Sequence, residues 1–76
     1  MHFSLSISYQ GNLFLYAITT EDQNVFQFQQ LSAPPGKEAP GEFTVFHPEK
    51  DVWTFEQELD EEFKADVVRV LKRTKL

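Results

Sequence analysis

Cysteine is absent from this chain, which excludes disulfide staples and thiolate-ligated metal centres. Cations are scarce: seven Lys and Arg stand against twelve Asp and Glu, for a net charge of −5. A chain of that sign repels phosphate backbones and anionic membrane surfaces unless its few cations gather on one face. No apolar run approaches the roughly 20 residues of a membrane-spanning helix. The N-terminal MHFSLSISY has neither a basic segment nor a continuous apolar core, so it does not read as a secretory signal. Gly-rich phosphate loops and nucleophile elbows are also missing. These absences lead us to expect a soluble, cytoplasmic protein with no membrane association, and nucleic acid is disfavoured as a partner.

What the chain does contain is aromatic. Its 76 residues are 41% hydrophobic and 14% aromatic, with eight Phe beside Trp53, Tyr9 and Tyr16. That is enough for one small globular domain over residues 1–76 and argues against disorder. A domain of this size buries only roughly 60% of the surface its unfolded chain exposes. With no disulfide, packing or self-association has to supply the remaining stability.

The organising stretch is Phe3 to Ile18. Phe3, Leu5, Ile7 and Tyr9 alternate with Ser4, Ser6, Ser8 and Gln10, the period of a half-buried strand. Gly11-Asn12 offers a two-residue hairpin turn between strands over about Phe3–Gln10 and Leu13–Thr20. That turn pairs Tyr9 with Phe14, Ile7 with Tyr16 and Leu5 with Ile18, all on one face. Val25 to Leu31 alternates again. A three-residue loop of Asp22-Gln23-Asn24, with Asn24 left-handed, pairs Ile18 with Phe28 and Thr20 with Phe26, and so keeps both Phe on the same face. By the same register Leu15 faces Leu31.

Ser32 to Gly41 holds three of the four prolines and two of the three glycines, which makes it an exposed loop. It is either a connection across a sheet edge or a binding loop. Glu42–His47 forms a fourth strand, Pro48–Asp51 a turn, and Val52–Phe55 a short fifth strand. The competing assignment starts a helix at Pro48, but Val-Trp-Thr-Phe is dense in strand formers. From Gln57 or Asp60 to Arg73 the spacing is helical, with an apolar stripe of Phe55, Leu59, Phe63, Val67, Val70 and Leu71. Acidic residues crowd its start, while Lys72, Arg73 and Lys75 gather at its end, as the macrodipole favours. Asp60 with Lys64 and Asp66 with Arg69 stand at ion-pair spacing. The expected fold class is α+β: an antiparallel meander of four to five strands with one C-terminal helix packed on one face.

Catalytic chemistry has little to stand on. Ser4, Ser6 and Ser8 alternate as an exposed sheet face does, and the paired carboxylates Glu61 and Glu62 are explained by a solvated helix start. His47, Glu49 and Asp51 are of metal-ligand type, but their spacing matches no metal motif and turn chemistry accounts for them. No catalytic, metal or cofactor-binding residue is assigned. An enzyme is not expected.

Three partner readings remain. The first is a non-enzymatic protein–protein interaction or accessory module. It forms a homodimer, or receives an unknown protein partner, through Leu13, Leu15, Ala17 and Leu31 on the sheet face away from the helix, with Val25 further along. The second is a single-stranded nucleic-acid-binding sheet domain, which needs exposed aromatics. Here the register assigns Tyr9, Phe14, Tyr16, Phe26 and Phe28 to the helix side. The third is an acidic inhibitor that docks a basic partner through Glu56, Glu58, Asp60, Glu61 and Glu62. The first reading is the one this sequence favours.

Overall fold

The computed structural model describes residues 1–74. It has an α+β fold of five strands and one helix: β1 (His2–Tyr9), β2 (Asn12–Thr19), β3 (Val25–Ser32), β4 (Glu42–Glu49), β5 (Val52–Phe55) and α1 (Glu61–Arg73). The strands lie in chain order across one sheet, each antiparallel to the next.

The first hairpin turns one residue earlier than Gly11-Asn12. Gln10 (φ 52°) and Gly11 (φ 77°) occupy the two turn positions, the left-handed pair that matches strand twist. The pattern places Gly at the second turn position, and Asn12 steadies the turn from the strand by donating to the Gln10 carbonyl at 3.0 Å. The register therefore moves by two residues: Tyr9 faces Asn12, Ile7 faces Phe14, Leu5 faces Tyr16 and Phe3 faces Ile18. An even displacement leaves every side chain on its expected face, which is why the aromatic side survives the correction.

At the second turn Ile18 faces Phe28, but pairing stops at Thr19 and Gln27, before the expected Thr20–Phe26 pair. Gln23 (φ 63°), not Asn24, is the left-handed residue. Thr20 Oγ1 takes its N–H at 2.9 Å, and Asp22 takes that of Asn24 at 2.9 Å, which sets the loop geometry. Further along, Tyr16 faces Gln30 while Leu15 faces Ser32, so Leu31 is the extra residue of a β-bulge and does not oppose Leu15. The bulge bends β3 into the proline-rich loop. That loop is held by Gln30 N–H donating to the Gly41 carbonyl (2.7 Å) and the Tyr16 hydroxyl donating to that of Pro40 (2.6 Å).

The stretch 48–55 is a hairpin, not a helix start. β4 runs on to Glu49, past the expected end at His47, and the turn contracts to Lys50-Asp51, with Asp51 left-handed at φ 64°. Pro48 is tolerated because it lies where the β4–β5 register shifts and no ladder donor is required of it.

The buried cluster joins strand residues such as Phe14, Tyr16, Phe28 and Phe43 to Phe63, Val67 and Leu71 of α1. Phe63 meets Tyr9, Tyr16 and Phe43 edge-on, with ring centroids at 5.2, 6.2 and 5.4 Å. Phe28 and Phe43 stack at 4.5 Å across the β3–β4 pair. Asp60 caps the helix by accepting the Glu62 N–H, and it also accepts the Tyr9 hydroxyl. These roles remove it from the expected pair with Lys64, which bonds Glu61 at 3.0 Å instead. Asp66 and Arg69 do pair. Lys75 lies outside the described residues.

Two measurements check this packing. Phe63→Ala empties a fully buried site, and such a change costs roughly 3–5 kcal/mol. That is comparable to the whole stability of a small domain, so circular dichroism should show a largely unfolded chain at 25 °C. The second concerns alkali. The hydrogen bond to Asp60 above all, then burial and the Asp60 and Glu62 charges, pushes the Tyr9 phenol from 10.0 up to about 12. The folded state therefore holds that proton more tightly than the unfolded chain. Its contribution is complete below pH 10 and disappears as pH climbs through about 12. Burial also raises Tyr16. Urea midpoints taken across this window should fall, and Tyr9→Phe should flatten the fall; an unchanged slope would remove Tyr9 from the account.

Candidate functional site

Two surfaces stand out once the strands are in register. On the face opposite the aromatic cluster, Ser4 faces Ala17, Ser6 faces Leu15 and Ser8 faces Leu13. Leu13 is 66% exposed and Leu31 55%, while Leu15 and Ala17 are half-buried. Across β1, β2 and β3 this face carries no Asp, Glu, Lys or Arg: Thr19, Gln27 and Gln29 continue it to Glu42 on β4. Leu13, Leu15 and Ala17 thus lie along one side of β2, while the bulge takes Leu31 out of direct pairing with Leu15.

The second surface was not anticipated. Phe63 covers the aromatic layer from Tyr9 to Phe43, and α1 runs closest to β1. Toward β5 the cover ends, and a groove of about 920 Å³ opens between β5 and α1. Trp53, Phe55 and Val68 are among its apolar lining. Trp53 is held between Phe26, at 6.3 Å, and the ring of His47, stacked in parallel at 3.7 Å. His47 Nδ1 lies 2.8 Å from the Val52 carbonyl oxygen. A carbonyl only accepts, so Nδ1 carries the proton and donates. Phe55 continues the layer beside Phe43 at 6.3 Å, with the Lys64 ammonium 6.0 Å above its ring. Lys64, Arg69, Lys72 and Arg73 line the helix wall. A signal for this wall existed: Glu61, Lys64, Ala65, Val68, Arg69 and Lys72 recur at helical spacing, a second stripe beside the core one.

The acidic run divides. Glu56, Glu58 and Glu61 border the groove, whereas Asp60 and Glu62 turn toward Tyr9, where their charge acts on its hydroxyl. The five carboxylates are exposed but do not form one patch. His47 serves its hairpin as described, and among the described residues no group of three or more His, Cys, Asp or Glu is placed to hold a metal ion. Phe14, Tyr16, Phe26 and Phe28 are buried, so they offer no platform for stacking bases. No described helix is long and apolar enough to cross a membrane. Comparisons with protein-family models, curated proteins and solved structures found no match.

The His47 clamp makes its own prediction. His47→Ala removes a stacked ring and a hydrogen bond at a half-buried site, so stability should drop by about 1–2 kcal/mol. Emission of the single tryptophan should shift to the red; unchanged emission would show that His47 does not set the Trp53 environment.

Proposed function

We propose that this chain is a non-enzymatic protein–protein interaction module that self-associates as a homodimer through the sheet face carrying Leu13, Leu15, Ala17 and Leu31. In this reading the five strands form a meander whose aromatic face is covered by α1, and the opposite face is the broad surface left for a partner. One observation carries it: exposed leucines at 66% and 55% sit on a face whose first three strands bear no charged side chain. Elsewhere the chain is strongly acidic, at −5, and two copies repel each other through most orientations. An uncharged face lets them meet without that repulsion. A twofold contact uses the same patch on both copies, so one surface serves both. Association also adds burial to a core that is small for an unstapled fold. We place the module in the cytoplasm, acting without cofactor or metal.

Sedimentation equilibrium from micromolar to millimolar concentration tests the proposal. The native chain should dimerise. Leu13→Glu and Leu31→Glu each place a carboxylate in the contact, and should raise the dimer dissociation constant by about 100-fold or more. Both positions are more than half exposed, so the monomer should keep its circular dichroism. A strict monomer throughout, indifferent to both substitutions, removes the proposal.

A further inference from the structure

We infer that the groove between β5 and α1 is a second interaction site, one that takes an extended acidic peptide as an additional strand on the free edge of β5. It uses a different surface from the proposed dimer and stands or falls separately.

The backbone supplies the first reason. β5 ends the sheet order, and the Glu56 N–H bonds back to the Thr44 carbonyl at 3.1 Å. Backbone groups of successive strand residues point to alternate sides, so the N–H and C=O of Trp53 and Phe55 face away from β4, toward the open edge. Natural sheets shield such edges with proline, inward charge or a covering element. Val52-Trp53-Thr54-Phe55 has neither proline nor charge. The opposite edge strand, β1, is the one that α1 approaches, through Tyr9 with Phe63 and Asp60.

Side chains supply the second. The groove has an apolar floor in Trp53, Phe55 and Val68, positioned to receive alternate side chains of an added strand. The Trp53 indole N–H is buried without a hydrogen-bond partner, the one such side-chain atom among the described residues. Native structures seldom leave a donor so, and an acceptor brought in by the peptide would satisfy it after a small adjustment of the lining.

Charge selects the occupant. The lining sets Lys64, Arg69, Lys72 and Arg73, four of the seven cations in a chain of net charge −5, against Glu56, Glu58 and Glu61. Lys64 and Arg69 bond Glu61 and Asp66. Lys72 and Arg73 occupy the last helical turn and are in reach of an acidic residue seated beyond Trp53.

Trp53 is the single tryptophan, so its emission reports the groove directly. The probe is a peptide of alternating Val and Glu, tested against an alternating Val and Lys peptide and a Val–Glu version interrupted by central prolines. The expected result is a saturable blue shift with the Val–Glu peptide only, and slowed amide exchange at Trp53 and Phe55 by NMR. Lys72→Glu combined with Arg73→Glu, both at exposed positions, should weaken binding at least about tenfold with circular dichroism unchanged. Leu13→Glu should leave the titration as it was. The inference is overturned by no saturable change at millimolar peptide, by an equal response to the Val–Lys or proline peptide, or by full binding in the charge-reversed variant. A Trp53 shift that depends on protein concentration alone would assign the edge to a second copy and overturn it equally.

Discussion

The insertion of Phe63 into the aromatic layer is the contact on which the rest of this fold depends. Its ring meets Tyr9, Tyr16 and Phe43 nearly perpendicular to two of them, at 87° and 81°, the geometry that sets a positive ring edge against a negative face. Those partners come from β1, β2 and β4, so a single helical residue ties separate hairpins together. In a chain without disulfides, few other contacts span as much sequence. Asp60 reinforces the arrangement from the backbone side, since one carboxylate caps the helix and holds the Tyr9 hydroxyl.

Where Phe63 sits also decides which surfaces stay open. The helix lies toward β1, and one helix is too narrow to cover five strands spaced about 4.8 Å apart. The uncovered remainder falls at β5, which leaves Trp53 and Phe55 as the floor of a groove instead of a core. The opposite sheet face and the groove differ in chemistry. One bears leucines and no charge across β1, β2 and β3; the other combines aromatics with cations on the helix wall and carboxylates at its border.

Local pattern was strong in the strands and weak in the turns. Period-2 alternation placed Ile7, Phe14, Tyr16, Ile18, Phe26 and Phe28 on the side that is buried, because a strand has only two faces and serine or glutamine marks the wet one. The turn falls at Gln10-Gly11 and not at Gly11-Asn12, since Gly11 tolerates either turn position and local pattern does not distinguish them. An odd slip would have inverted the sheet; this one was even. The Leu31 bulge was invisible because it arises from β3 bending into a loop anchored by Tyr16 and Gln30, neighbours distant in sequence. Spacing alone pairs Asp60 with Lys64, whereas Tyr9, far away in the chain, competes for it.

The sequence by itself determined the α+β class, the identity of the buried aromatic side, and a C-terminal helix whose start it left between Gln57 and Asp60. Each follows from periodicity, which acts between residues a few positions apart. Tertiary structure alone decided that the helix lies toward β1, that the acidic run parts between Tyr9 and the groove, and that Trp53 and Phe55 border a cleft with four cations. Those depend on where one rigid helix settles on a wider sheet. That position is set by ring packing around Phe63, between residues that no local spacing connects.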